Sequence, residues 1–233
     1  MRLQLFMANA GVASRRACET IIAEGRVSVN GKIVTTPGTK VFSTDCVCLD
    51  GKQLFLEEKK VYVLLNKPSG YVCSASDEKD RAVALDLLKP HFSQRLFNVG
   101  RLDMYSCGLI IFTNDGDFAA KVSHPSSQLE KEYFVETSTQ IPQQLIEMFQ
   151  KGIRIDDIFY KCQRIEKTGS RTVKIVLIEG KNREIRRVFE KFEIGIKRLI
   201  RVRIGNIQMN GLPEGQFRQL SQAEVISLLQ KEY

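Results

Sequence analysis

The chain has 233 residues, with 35 Lys or Arg against 27 Asp or Glu, a formal charge of +8 and an isoelectric point near 9.2. An apolar share of 43% excludes disorder as the main state. The lack of any run of about 18 apolar residues excludes a membrane-spanning helix, and the length suits one or two domains with a real core.

The first residues carry no long apolar stretch and run straight into helical patterning. No secretory signal is read, and a cytoplasmic protein is expected. Leu3, Leu5, Phe6 and Ala10 begin a short apolar helix that Gly11 can end. Ser14 is a natural N-cap for a second helix. Ala17, Ile21 and Ile22 recur there at helical spacing, and Gly25 supplies its stop. Residues 26–29 then alternate polar and apolar. Asn30-Gly31 is the strongest short hairpin signal, and Lys32-Ile33-Val34 follows as the return strand. Val41, Val47 and Leu49 point to further short strands, and Glu57-Glu58-Lys59-Lys60 reads as a linker. Ser14-Arg15-Arg16 places two cations on the first turn of the second helix, against the helix dipole. That local cost is easier to understand if a phosphate docks on the free N–H groups there.

From Val61 the pattern becomes mixed. Residues 61–65 read as a buried strand stopped by Asn66-Lys67-Pro68-Ser69-Gly70 and resumed over 71–74. Residues 82–88 read as a short helix closed by Pro90. Residues 96–99 and 109–113 are strands flanking a loop, Asn114-Asp115-Gly116 is a turn, and 117–123 is helical. Strands are expected over 133–137, 171–178 and 197–204. Helices are expected over 142–150, with Pro at its start, over 182–192 and over 223–231. Strands and helices do not alternate strictly, so a doubly wound parallel sheet is not expected. The expected class is α+β: a helix–helix–hairpin module over 1–58, and over 59–233 a larger domain with a mixed, mainly antiparallel sheet.

Six cysteines lie at 18, 46, 48, 73, 107 and 162, with no C-x-x-C pair. Reduced buried thiols are expected, with Cys46 and Cys48 on one face of a strand. The two histidines, His91 and His124, each sit beside a proline. Neither a zinc site nor a Ser-His-Asp triad is supported. Catalysis then falls to carboxylates, Arg, Lys, Tyr or Ser. The charge is uneven: residues 1–58 hold seven basic and six acidic side chains, and 59–233 hold 28 and 21. Over 181–203 nine Lys or Arg meet three Glu, a concentration that points to a polyanion and most simply to nucleic acid.

In Asn98-Val99-Gly100-Arg101-Leu102-Asp103 a strand ends, a glycine permits a bend, and an Arg and an Asp follow at i and i+2. Gly108 to Thr113 then re-enters the sheet, so the Asp is mounted on a loop held at both ends. Alone, such an Arg-Leu-Asp is more often a surface ion pair. Three further segments stand beside it: the basic turn 66–70, Lys131-Glu132-Tyr133-Phe134-Val135, and Glu179-Gly180-Lys181-Asn182-Arg183-Glu184-Ile185-Arg186-Arg187.

Two resemblances follow from these residues. Ala10 to Arg16, Glu24 to Lys32 and Asp50-Gly51 resemble the alpha-L motif, a small RNA-binding module shared by a small-subunit ribosomal protein, a tyrosyl-tRNA synthetase and several RNA-modifying enzymes. The remainder, with Gly100 to Asp103, Gly108 and Thr113-Asn114-Asp115-Gly116 in that order, resembles the pseudouridine synthases. The match is to the branch that modifies ribosomal RNA and carries an alpha-L module in front. The resemblance implies that Asp103 is the essential aspartate, Tyr133 the tyrosine that stacks on the target base, and Arg186 the basic partner of the aspartate. Ile185 becomes the aliphatic lining the pocket and Arg101 the arginine beside the flipped nucleotide. Ser14, Arg15, Arg16, Arg26, Lys32, Lys67, Lys181, Arg183 and Arg187 become candidate RNA contacts. The chain departs from the usual pattern at Tyr105, Ser106 and Cys107 and at Arg183-Glu184.

Isomerising uridine requires breaking its N-glycosidic bond, rotating the uracil and rejoining it through carbon. No redox step or external group is involved, so no cofactor or metal is expected. An ionised carboxylate can serve as nucleophile or as base. Unstacking the target costs a few kcal/mol, and an aromatic face offsets part of it. The expected partner is ribosomal RNA or a ribosomal assembly particle, with no membrane and the chain as a monomer. The alternatives are a non-catalytic RNA-binding or assembly factor, and a modifier of tRNA with the same chemistry.

Overall fold

In a computed structural model, residues 1–74 and 80–230 are described. The chain opens with α1 (Leu3–Asn9) and α2 (Arg15–Ala23). The Ser14 hydroxyl accepts the N–H of Ala17 at 3.2 Å, which is the N-cap that the sequence implies. The inward stripe of α2 is Cys18 and Ile22, whereas Ala17 faces solvent. β1 (Val27–Val29) and β2 (Lys32–Ile33) form the hairpin. Its corner residues Asn30 and Gly31 both have positive φ, 50° and 77°, as a two-residue turn of this hand demands. β3 (Val47–Leu49) and β4 (Lys52–Gln53) complete a sheet of order β2-β1-β3-β4. Leu3, Phe6, Met7, Cys18, Ile22, Val27, Val41 and Val47 form its own core. Val41 is buried but lies outside the strands.

Residues 57–60, expected to be a linker, are stitched down. The Glu57 N–H donates to the Asn9 carbonyl at 3.2 Å. The Asn114 amide donates to the Glu57 carboxylate at 2.8 Å and to the Lys59 carbonyl at 2.9 Å. Asn114 also accepts from the Val61 N–H, and the Thr113 hydroxyl donates to the Val61 carbonyl.

The larger part is built on a nine-stranded sheet. In chain order come β5 (Tyr62–Lys67), β6 (Phe97–Val99), β7 (Cys107–Thr113), α3 (Gly116–Ser123) and β8 (Lys131–Thr137). They are followed by α4 (Gln143–Lys151), the hairpin β9 (Ile153–Ile155) and β10 (Ile158–Tyr160), β11 (Arg164–Gly169) and β12 (Thr172–Leu177). α5 (Glu184–Lys191), β13 (Ile196–Ile204), β14 (Ile207–Gln208), β15 (Phe217–Gln219) and α6 (Gln222–Leu229) close the described chain. The main path runs β11-β12-β8-β13-β7-β5-β15, with β6 on β7 and β14 on β13, while β9 and β10 form a separate ribbon. All its pairings are antiparallel except β13 with β7. The expected α+β class with a mainly antiparallel sheet is therefore found.

The sheet is covered on both faces, which is why β5 and β7 read as unbroken apolar runs. Val63, Leu65, Ile110 and Phe112 face a core shared with Ile146, Phe149, Val188 and Phe189 of α4 and α5. Leu64, Leu109 and Ile111 face a second core with Phe118, Val122, Val225 and Leu228 of α3 and α6. Some sequence expectations are corrected. Residues 71–74 form no strand beyond a single Val72–Val83 bridge. Residues 82–88 hold only a 3₁₀ turn, Ala84–Leu87, followed by a second at Lys89–His91 with Pro90 near its start. The final helix ends at Leu229, and Lys231 lies outside the described residues. The thiols are all free, but Cys46 is exposed and Cys48 and Cys73 half-buried, so only Cys18, Cys107 and Cys162 are buried as expected. Cys46 and Cys48 do share a face, with their sulfurs 3.8 Å apart.

Candidate active site

The edge of β7 changes partner along its length. Its first residues, Cys107 and Gly108, pair in parallel with Ile200 and Arg201 of β13, and Ile111 to Thr113 pair with β6. The loop 100–106 leaves the sheet at that change. Gly108 makes the junction possible: its φ is 101°, and a Cβ there would collide with the main-chain carbonyl of Arg201.

Asp103 sits on this loop, and its three nearest donors hold it from three sides. Oδ1 accepts the N–H of Tyr105 at 3.0 Å, and Oδ2 accepts the Ser106 hydroxyl at 2.7 Å and Nε of Arg186 at 3.2 Å. The Arg186 Nη2 donates in turn to the Ser106 oxygen at 3.2 Å, which closes a triangle. Side-chain exposure is 24% for Asp103 and 12% for Arg186, so the pair is mostly but not wholly dry. Burial alone would push the Asp103 carboxyl up. The Ser106 hydrogen bond, the Arg186 charge and hydrogen bond, and the field of Arg183 outweigh it and hold the group below its ordinary value of 3.8.

The loop is braced from the turn after β5. Lys67, expected to reach RNA, is instead fully buried. Its ammonium donates to the carbonyls of Pro68 at 2.7 Å, Tyr71 at 2.9 Å and Met104 at 3.4 Å. All three of its donors are thus engaged, and burial lowers its pKa. The Gly70 N–H donates to the same Met104 carbonyl at 2.8 Å, and the Leu102 N–H points to the Cys73 sulfur at 3.4 Å. The reason for the failed expectation is tertiary: a lysine in a polar turn looks solvated until a second loop folds its carbonyls over it.

Asp103 opens onto a cavity of about 710 Å³. Arg101, Tyr133, Lys181, Arg183, Ile185 and Arg186 line it together with Asp103, from three separate stretches of chain. Tyr133 enters from β8, 8% exposed, and Ile185 from α5, 4% exposed. Arg101 and Arg183 are exposed at the mouth. Arg183 has φ 51° at the N-cap of α5 and pairs with Glu190 at 3.1 Å. The Lys181 ammonium donates to the Phe159 carbonyl at 2.7 Å. Arg187 lies outside the cavity lining and approaches Asp156 at 3.9 Å.

The basic run 181–203 does not act as one surface. Arg201 is buried, its Nε donating to the Leu109 carbonyl at 2.6 Å, and Arg203 is taken up by Glu130 at 2.8 Å and Glu132 at 3.4 Å. On the small module Ser14, Arg15, Arg16 and Lys32 are exposed. Arg26 is tied to Asp50 through two hydrogen bonds of 3.1 and 2.6 Å, which brace the β3–β4 turn.

Two contributors escaped the sequence reading. Ser106 is 2% exposed and bonded to both members of the pair, and the signal was available as an Asp followed by Ser at i+3. Glu184 is 4% exposed and lines the cavity, its carboxylate accepting from the Lys181 N–H at 3.1 Å while its own N–H donates to the Lys181 carbonyl at 3.2 Å. Burial raises its pKa despite that bond. This reciprocal clasp shapes the 181–184 bend. The arrangement offers the Asp103 carboxylate, a guanidinium fixed on it, an aromatic wall and a cationic rim.

Comparison with known proteins gives consistent matches. A family model described as RNA pseudouridylate synthase matches residues 61–191, and an S4 domain model matches residues 1–45. An "Uncharacterized RNA pseudouridine synthase" of Borreliella burgdorferi is 39% identical over 97% of this chain and 92% of its own length. A "Ribosomal large subunit pseudouridine synthase B" of Bacillus subtilis is 37% identical, covering 96% of this chain and 93% of its own. Among solved structures, one described as a pseudouridylate synthase superposes with a TM-score of 0.72 at 26% identity, covering 98% of this chain and 99% of that one.

Proposed function

The chain belongs to the RNA pseudouridylate synthase family, and on that footing we propose that it isomerises uridine to pseudouridine in ribosomal RNA with Asp103 as the reacting carboxylate. The single observation that carries the assignment of Asp103 is its triangle with Arg186 and Ser106 at the wall of the 710 Å³ cavity. The ribosomal substrate is supported by the relatives named for it and by the S4 match.

On this reading the target uridine leaves its stack and enters beside Tyr133, whose ring offsets part of the unstacking cost. Ile185 packs against the base. Arg186 keeps Asp103 charged in a dry site, so the carboxylate is ready to attack or to take a proton without first losing one. Arg101, Lys181 and Arg183 receive the flanking phosphates. Residues 1–58, with Ser14, Arg15, Arg16 and Lys32 outermost, form the RNA-anchoring domain, and residues 59–233 the catalytic one. Arg187 contributes charge from the outer side of α5. The enzyme works as a monomer in the cytoplasm, on ribosomal RNA or on an assembly particle. A non-catalytic factor would have no chemical need for a carboxylate held charged at the wall of a cavity.

The test maps pseudouridine across all ribosomal RNA from cells with and without this chain. Loss of modification at a defined uridine is the expected result. An unchanged map, with tRNA altered instead, would overturn the ribosomal assignment.

A further inference from the structure

Tyr105 is 64% exposed, a large aromatic left on the surface two residues from Asp103. Its neighbours Met104 and Ser106 both line the cavity, whereas Tyr105 itself lies outside the lining. Its backbone is not free to drift. The Tyr105 N–H is bonded to Asp103 Oδ1, the Met104 carbonyl is held by Lys67 and Gly70, and the Ser106 N–H donates to the Asp103 carbonyl at 3.2 Å. A held main chain thus presents a solvent-facing ring between two residues of a cavity wall that also carries the cationic groups Arg101, Lys181 and Arg183.

Extruding one base from an RNA strand strips a stacking partner from each of its neighbours. A ring carried on this held loop, between two residues of the cavity wall, meets one of those exposed faces. We propose that Tyr105 stacks on the nucleotide adjacent to the target uridine and so sets which flanking context binds productively. The inference rests on the reading of Asp103 as the reacting group and adds a positioning residue to it. Base–aromatic stacking of this kind tolerates any base, with modest preferences that follow stacking strength and backbone flexibility. The side chain acts through the bound RNA, not through the carboxylate, because the hydrogen bond that Tyr105 gives Asp103 comes from its main-chain N–H.

The experiment compares the full-length enzyme with Tyr105→Phe and Tyr105→Leu on an RNA fragment containing the mapped uridine. Leu should raise KM about ten-fold, within the range of one lost stacking contact, and kcat should change far less. Phe should restore KM to within about two-fold. A second readout places 2-aminopurine next to the target uridine in an Asp103→Asn background, where the RNA is bound but not converted. Its fluorescence should be quenched on binding with Tyr or Phe at 105 and much less with Leu. Equal KM and equal quenching for Leu and wild type, with wild type converting uridine, would overturn the stacking role and leave Asp103 untouched. A fall in kcat with KM unchanged would overturn it too, by showing that the side chain supports the carboxylate. If wild type converts no uridine, the reading of Asp103 falls first and this inference with it.

Discussion

The molecule handles its arginines in two ways. On the small module Arg15 and Arg16 stand exposed on the first turn of α2, over a helix end that is itself positive. In the cavity Arg186 is nearly buried and engaged by both Asp103 and Ser106. The first arrangement leaves charge available to a mobile polyanion and is screened by salt. The second uses charge to fix the ionisation of one group and is largely shielded from salt. On the proposed function, the same side chain contributes affinity in one region and reactivity in the other.

The largest effect that would break this contrast is expected at Arg186. Arg186→Gln removes the cation while Asp103 stays partly buried, so burial dominates and the carboxyl pKa rises. The acid limb of the kcat/KM profile then moves to higher pH. In the wild type Asp103 stays charged below its ordinary value, and its activity is lost only as pH falls through that lowered pKa. Turnover should also fall about 100-fold at neutral pH, measured by single-turnover assay. An unmoved acid limb would separate Arg186 from the carboxylate.

Ser106→Ala removes the short hydrogen bond but keeps the ion pair. A loss of about 20-fold in kcat and a smaller upward shift of the same limb are expected, since a bond to a charged group is worth about 1.5–3 kcal/mol. On the small module, Arg15→Ala with Arg16→Ala should weaken RNA binding about ten-fold and flatten the log–log salt slope by about two, as two lost phosphate contacts would. The kcat at saturating RNA should hold. A fall in that kcat would erase the division between the regions. The smallest effect belongs to Ser14→Ala, which removes a helix cap worth about 1 kcal/mol and should loosen α2 in hydrogen exchange while leaving chemistry unchanged.

The two regions also differed in how far the sequence revealed them. The small module is local: a Ser cap and an Asn-Gly corner each follow from neighbours in the chain and both occur, while the apolar stripe of α2 is turned, with Cys18 and Ile22 inward and Ala17 outward. The larger domain is assembled from distant stretches, and reading it required motif order rather than pattern. Asp103, Arg186, Tyr133 and Ile185 came from that order, and the cavity unites them. Lys67 failed because its partners are carbonyls brought in by another loop. Arg201 failed because charge counting ignores which face of a strand a residue takes, and this one lies inward beside Leu109. The ribbon β9–β10 was missed because its corner is Asp156-Asp157, both at positive φ, without the glycine that usually marks such a turn. β11 was missed because most of its residues are exposed, which leaves no apolar stripe to read.

The most direct measurement puts purified wild-type chain and Asp103→Asn on the same ribosomal RNA and quantifies pseudouridine by mass spectrometry beside RNA affinity. Wild type should convert its uridine while the variant binds equally and falls at least about 1,000-fold in rate. Conversion by the variant at the wild-type rate would contradict the assignment of the chemistry to this carboxylate.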